Sequence, residues 1–194
     1  KTIQSNTSYL TTQSITIFER GITLRSFTIR SCKNQAHNKS MKQISFERFW
    51  CMPSHKTFSI KPIKKLIEEE IGTEFIDPFP FPYKDDAIEY LKKIPTNSEK
   101  YCVFDPPYSQ RQLKEMYSNN GLSLNHPMNN SYWANCKKEI SRIIRKNGKV
   151  ISFGWNSNGI GKKYGFDIKK IVLIAHGSQH NDTIATVEIK KQNI

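Results

Sequence analysis

The chain has 194 residues, and 30 Lys and Arg against 17 Asp and Glu give it a formal net charge of +13. This length predicts one domain with an appendage, and an apolar fraction of 37% is enough for a single core. No run of about eighteen apolar residues occurs, so the sequence predicts no membrane span. The positive charge favours a polyanionic partner, nucleic acid first, with a merely basic surface as the alternative.

The cysteine and histidine spacing argues against a disulfide framework or a metal site. His176 and His180 are four residues apart, but a turn is predicted between them and no ligand-rich motif is nearby. No Cys-x-x-Cys pair occurs, which predicts free thiols in a reducing, cytoplasmic compartment and no bound metal. The four cysteines are Cys32, Cys51, Cys102 and Cys136.

Residues 1–40 differ in composition from the rest and are predicted to be a peripheral segment, separate from a domain at 41–194. They are rich in Ser and Thr and carry one acid, Glu19. A transit-like segment, a basic arm for nucleic acid and sequence upstream of the start at Met41 all fit this composition. The alternation within 14–29 also fits a β-hairpin around Gly21.

The remaining chain alternates predicted strands and helices, which indicates an α/β fold. Helices are predicted after Pro62, from Asp85, from Gln110 and from Tyr132 to Lys146, the last ending in an Asn-Gly cap. The two final strands follow each other closely, which predicts an antiparallel hairpin at the sheet edge. The predicted strands are 73–77, 100–105, 149–155, 168–175 and 183–190.

An apolar run from Tyr101 to Phe104 leads into Asp105, Pro106, Pro107 and Tyr108. Neither proline can donate a ladder hydrogen bond, so the strand is expected to stop there. The carboxylate and the phenol are then presented at the carboxyl end of a strand, where open α/β sheets hold their ligands. A strand that ends in a proline turn, with Tyr108 packed, is the alternative.

This Asp-Pro-Pro-Tyr sequence after a strand resembles the catalytic motif of the S-adenosylmethionine-dependent amino-methyltransferases, chiefly the N6-adenine DNA methyltransferases. The resemblance implies that Asp105 and the carbonyl of Pro106 accept hydrogen bonds from the amino group of adenine, a poor nucleophile in its conjugated state. It implies that Pro107 belongs to the same motif and that Tyr108 stacks on a flipped base.

Two upstream segments resemble the parts of this family that border the cofactor. The Lys-Pro sequence before a helix implies cofactor contacts from Thr57, Phe58, Ser59 and Lys61. Asp-Pro-Phe resembles the start of the family's cofactor motif, which implies contacts from the segment Asp77, Pro78 and Phe79. The sequence departs from the family where Pro80 to Tyr83 replace the expected glycines, and where no strand ending in a ribose-binding acid precedes Tyr101. Asp85 and Asp86 are candidates to replace that acid, and a solvated helix N-terminus explains them equally well.

The resemblance spans about residues 46–190 and implies a class-I methyltransferase fold. That fold is a Rossmann-like three-layer sandwich with a trimmed, mostly parallel sheet and a C-terminal antiparallel hairpin. The implied activity is methyl transfer from S-adenosylmethionine to N6 of adenine in double-stranded DNA, as in restriction-modification, with oligomerisation open. The alternatives are methylation of amino groups in RNA or protein, and a non-catalytic nucleic-acid-binding protein with a degenerate methyltransferase fold.

Overall fold

The computed structural model contains one sheet of five strands with helices packed on both faces. No helix in the part of the chain that the structure describes is long and apolar enough to cross a membrane. The segment 1–40, with its predicted hairpin, lies outside the part that the structure describes. The described residues are 43–54, 56–80, 85–122, 131–177 and 179–191.

The sheet has five strands, which are β1 (Ser45–Trp50), β2 (Glu99–Phe104), β3 (Ile144–Gly154), β4 (Phe166–Ala175) and β5 (Thr183–Lys190). Their order in the sheet is β1-β4-β5-β3-β2. The pairs β1–β4 and β2–β3 are parallel, whereas β5 runs antiparallel to both β3 and β4. Ile76 adds an isolated parallel bridge to Cys102 beside β2.

The α/β class is confirmed, but the sheet is mixed. Two of its four strand pairs are antiparallel, so a mostly parallel sheet is not confirmed. The predicted C-terminal hairpin of β4 and β5 is present, but its position at the sheet edge is wrong, because β5 lies between β3 and β4. The predicted strand at 73–77 is reduced to the single bridge at Ile76.

The helices are α1 (Lys61–Glu70), α2 (Ala87–Lys92), α3 (Gln110–Asn119) and α4 (Ser131–Ile143). Their starts follow local sequence signals. Pro62 occupies the first turn of α1, where its missing N–H costs no helical hydrogen bond. Asp86 caps α2 by accepting from the backbone N–H groups of Ile88 and Glu89, and Ser109 caps α3. Short 3-10 turns lie at Thr57–Ser59 and Lys162–Tyr164.

Alternate residues of the strands face two separate hydrophobic cores. Cys102, Phe104 and Val150 pack with α2, α3 and α4. Val103 and Ile151 point to the opposite face and pack with α1. This alternation follows from the two-residue period of a strand, and it gives helix layers on both faces of the sheet.

Candidate active site

Strand β2 ends at Phe104, and Asp105 to Tyr108 follow it directly, before α3 begins at Gln110. Because β1, β2, β3 and β4 share one direction, their carboxyl ends lie along the same edge of the sheet. The segment after Gly154 therefore begins at the same edge as Asp105. This shared edge is the candidate site.

The carboxylate of Asp105 is oriented by hydrogen bonds from two side chains. Tyr108 Oη donates to Asp105 Oδ1 at 2.9 Å, and the Thr57 side chain forms the other bond. Burial raises the pKa of the Asp105 carboxyl above its usual range, and these two hydrogen bonds oppose that rise. A partly buried carboxylate with fixed geometry is suited to accept a hydrogen bond from a ligand.

The Tyr108 ring is an aromatic wall of the site. It meets Trp155 edge-on, with ring centroids 5.4 Å apart and planes at 71°. Trp155 is 47% exposed. The backbone N–H of Tyr108 donates to Gln112 Oε1 at 2.9 Å, and Pro107 O accepts from Trp133 Nε1 at 3.0 Å. The phenol that the sequence assigned to base stacking therefore also orients Asp105.

Two cavities flank the Asp-Pro-Pro-Tyr segment. The larger, of about 350 Å³, lies between this segment and the loop that follows β3, and the smaller has about 260 Å³. The smaller is lined by Thr57, Asp105, Pro106, Pro107, Tyr108, Gln112 and Met116. The polar and aromatic side chains of the larger are Tyr108, Ser109, Gln110, Trp133, Lys137, Ser152, Trp155, Asn156 and Asn158.

Asp77 lies close to Asp105, since the bridge at Ile76 brings its strand end beside β2. Asp77 Oδ1 accepts from the backbone N–H of Phe79 at 2.9 Å. Burial raises the pKa of the Asp77 carboxyl to about 7, and the negative charge of Asp105 contributes to the rise. The two acids thus form an electrostatically coupled pair at the sheet edge.

The predicted cofactor residues divide between the site and the core. Thr57 lines the smaller cavity and contacts Asp105. Phe58 packs against Phe75 and Phe153, and Phe79 is 5% exposed against Phe104, so both rings belong to the cores. Ser59 hydrogen-bonds Ser54 and the carbonyl of Lys56, Pro78 is buried, and Lys61 is exposed at the start of α1. Of Pro80 to Tyr83, which replace the expected glycines, residues 81–83 lie outside the described chain.

Asp85 and Asp86, the sequence candidates for a ribose-binding acid, have other roles. Asp85 forms an exposed ion pair with Lys93 at 2.5 Å. Asp86 is buried as the cap of α2 and accepts from Tyr132 Oη at 3.3 Å, and that hydroxyl lies 2.7 Å from Tyr117 Oη. The cap of α2 is therefore part of a buried polar cluster, in place of the solvated helix end that the sequence suggested.

His176 is a buried structural residue. Its ring nitrogens lie 2.7 Å from Cys51 O and 2.9 Å from Thr183 Oγ1, and these contacts tie the end of β1 to β5. No group of three or more potential metal ligands occurs in the described ranges.

Sequence reasoning did not identify two residues that contact the loop at the wall of the larger cavity. Lys137 on α4 lines the cavity and donates to Gly159 O. Glu188 on β5 is fully buried and accepts from the backbone of the loop after β3. A charged residue at an otherwise apolar strand was the available signal, but its partner could not be read from the sequence.

No protein-family model and no curated protein matches the sequence. Solved structures give weak similarities. A proposed DNA modification methylase from Thermus thermophilus is 16% identical with a TM-score of 0.37, and the match covers 57% of this chain and 54% of that one. The chain thus spans about half the length of the Thermus protein.

Two further structures match with lower scores. A proposed methyltransferase from Escherichia coli is 8% identical with a TM-score of 0.30, over 74% of this chain and 62% of that one. A proposed methylase from Haemophilus influenzae is 10% identical with a TM-score of 0.29, over 75% and 72%. Because all three TM-scores lie below 0.5, the case for function depends on the chain's own residues.

Proposed function

We propose that this chain is a methyltransferase that moves a methyl group from S-adenosylmethionine to the exocyclic N6 amino group of adenine in DNA. The observation that carries this proposal is the Asp105 carboxylate, held by Tyr108 and Thr57 in the wall of the smaller of the two cavities that flank the Asp-Pro-Pro-Tyr segment. The class-I methyltransferase fold belongs to the same proposal.

The larger cavity is assigned to the acceptor base. Tyr108 and Trp155 provide aromatic surface for a flat ring, and Asn156 and Asn158 provide amide groups that can bond a base edge. Its volume of about 350 Å³ lies within the range of small-ligand pockets, about 300–1,000 Å³. A base inside a duplex cannot enter such a cavity, so the target nucleotide must be flipped.

The smaller cavity is assigned to the methionine end of the cofactor. At about 260 Å³ it is below the usual range for a whole ligand, so it fits only part of the molecule. The carboxylate of Asp105, which lines it, suits the positive charge of a sulfonium. When bound, the cofactor supplies an electrophilic methyl group.

Pro106 lines both cavities, and Asp105 lines the smaller one. Asp105 is therefore expected to accept a hydrogen bond from an N6 amino group that reaches from the larger cavity toward the smaller, with the carbonyl of Pro106 as a second acceptor. Both contacts hold the nitrogen in place and stabilise the positive charge that develops as the N–C bond forms. Tyr108 keeps the Asp105 carboxylate in its acceptor orientation through the 2.9 Å hydrogen bond. The proton that leaves the amino group after transfer passes to solvent.

The test is methyl transfer to duplex DNA by wild type and Asp105→Ala, detected by mass spectrometry of the nucleosides. We expect N6-methyladenine from wild type and a loss of at least about 100-fold in the variant, because a positioned acceptor for developing charge is removed. DNA affinity should change less than about twofold, because Asp105 is one partly buried group in a phosphate-dominated contact.

Asp85→Ala is the matched control, since Asp85 is an exposed acid paired with Lys93. Its activity should equal that of wild type. Equal activity of Asp105→Ala would overturn the catalytic assignment. Methyl incorporation into RNA or protein, with none into DNA, would replace the proposed acceptor.

A non-catalytic nucleic-acid-binding protein is the second candidate. The burial of Phe79 in the core favours it, because that ring is then not offered to a cofactor. Calorimetric titration with S-adenosylmethionine separates the candidates. Heat of binding and thermal stabilisation support the enzyme, and their absence at millimolar ligand supports the binding protein.

A further inference from the structure

The loop that follows β3 forms one wall of the larger cavity. Trp155, Asn156, Asn158 and Gly159 all line it. The loop folds back on itself, because Asn156 Oδ1 accepts from the backbone N–H of Asn158 at 3.0 Å. Gly159 has a positive φ of 55° that favours glycine. The shape of this wall therefore depends on what holds the loop in place.

Glu188 holds the loop from the sheet side. Its carboxylate is fully buried and accepts from the successive backbone N–H groups of Ile160 at 2.6 Å and Gly161 at 2.9 Å. Successive amides that converge on one anion form a compact anion-binding arrangement, and the charge strengthens each bond. Ser152 Oγ, which lines the cavity, lies 3.5 Å from the same carboxylate.

Lys137 holds the loop from the helix side. Its Nζ donates to Gly159 O, and its positive charge lies near Glu188. Gly159 passes so close to Glu188 that a Cβ at this position would overlap the carboxylate. The loop is thus fixed between β5 and α4 by charged groups of opposite sign.

We propose that Glu188 is a positioning residue that sets the acceptor wall of the larger cavity through its bonds to the loop backbone. The inference rests on the proposed function, since it takes the larger cavity as the acceptor site. Glu188 is absent from the described lining of either cavity, so it acts through the loop and not by contact with the substrate. Loss of the carboxylate should weaken acceptor binding and leave cofactor binding unchanged.

Glu188→Gln is the test variant, because it keeps the side-chain shape and replaces one acceptor oxygen by an NH2 group. One of the two loop N–H groups, of Ile160 or Gly161, then faces this NH2 group and loses its acceptor. We expect the KM for duplex DNA to rise about tenfold, kcat to stay within about twofold and the calorimetric affinity for S-adenosylmethionine to stay unchanged. Hydrogen exchange at the amides of Ile160 and Gly161 should quicken about tenfold, with exchange in β3 unchanged.

Thr186→Val is the matched control. Thr186 is also fully buried on β5, two residues from Glu188, and its hydroxyl has no hydrogen-bond partner among the described residues. This variant should leave both the loop exchange and the KM at wild-type values. Should Glu188→Gln fail to fold, Gly159→Ala displaces the loop from the other side and should raise the KM in the same way.

The outcomes separate this inference from the proposed function. A wild-type protein that methylates DNA, with an unchanged KM in Glu188→Gln, overturns the positioning role alone. A raised KM in Thr186→Val also overturns it, because any buried change in β5 would then have the effect. A wild-type protein that methylates no DNA overturns the proposed function, and the inference with it.

Discussion

Asp77 and Asp105 are two acids whose side chains share a partly buried edge of the sheet. Each is stabilised as an anion by hydrogen bonds, from Phe79 N–H to Asp77 and from Tyr108 Oη to Asp105. Burial and, for Asp77, the like charge of its neighbour act against ionisation. The pair therefore costs stability when both groups are charged, as strained or charged functional sites commonly do.

Asp77→Asn should remove a pH dependence of stability. The pKa of Asp77 is about 7 in the folded protein and about 3.9 in an unfolded chain, so the folded state binds more protons between these values. The free energy of unfolding contributed by Asp77 is thus highest below about pH 4, falls as pH rises to about 7 and is constant above.

Urea unfolding at about pH 5 and pH 8 measures this effect. The Asn variant still offers an acceptor to Phe79 N–H. Its free energy of unfolding should therefore exceed that of wild type by on the order of 2 kcal/mol at the higher pH, and the two values should converge toward pH 4. Parallel stability curves for the two proteins across this range would contradict the assigned shift.

The residues of the candidate site differ in whether a local sequence pattern points to them. Asp105 and Tyr108 were proposed from the sequence because a strand, an acid and two prolines are consecutive, and the structure places their side chains in contact. Glu188 was not found, because its partners Ile160 and Gly161 are 28 and 27 residues away and are backbone groups. The alternation in β5 would place Glu188 on a solvated face, whereas the fold covers that face with α4 and the loop.

At the level of elements, the junction of α4 and β3 shows how a distant residue sets a boundary. The sequence predicted a helix to Lys146 with an Asn147-Gly148 cap, but α4 ends at Ile143 and β3 begins at Ile144. Asn147 has a φ of 64° and sits within an irregularity of the β2–β3 pairing. The Asn-Gly pair thus forms a bulge within β3 and not a helix cap.

Lys190 stabilises this junction. It is 1% exposed, and its Nζ donates to Ser141 O at 2.5 Å and to Ile144 O at 2.6 Å. These carbonyls are at the end of α4, where positive charge is favourable and helical partners are missing. The helix end could not be predicted locally because its cap comes from β5.

Lys190→Met should destabilise the protein by about 2 kcal/mol, because two buried carbonyls lose their donor while the apolar stem is kept. Chemical denaturation measures the change. Lys146→Met is the control, since Lys146 is exposed beside the same junction and should change stability by less than about 0.5 kcal/mol. A Lys190 variant as stable as the control would contradict the capping role.

The strand β1 was not predicted, and the exposure of its side chains explains why. The side chains of Phe46, Phe49 and Trp50 are exposed, so the segment has no apolar face that a periodicity argument could detect. Its strand conformation depends on parallel pairing with β4 and on the bond from Cys51 N–H to Ala175 O. Pairing with a strand more than 100 residues away leaves no local signature.

For the whole molecule, the net charge of +13 predicts how the proposed DNA binding depends on salt. Cationic side chains that contact phosphates release counterions, so DNA affinity should fall by at least about tenfold between 50 and 200 mM salt. Fluorescence anisotropy with a labelled duplex measures it. The affinity for S-adenosylmethionine is the internal control, since it should vary little with salt. A DNA affinity independent of salt would contradict a phosphate-dominated contact.

The position of β5 has a consequence for how the chain is made. In the described sheet, β2 and β3 form one piece, β1 and β4 another, and only β5 joins them. A nascent chain on the ribosome presents four of these strands before the one that links them, and until then each piece keeps an open edge for aggregation. Completion of this sheet therefore waits for the synthesis of β5, and a ribosome that stalls before Thr183 would leave two unjoined halves.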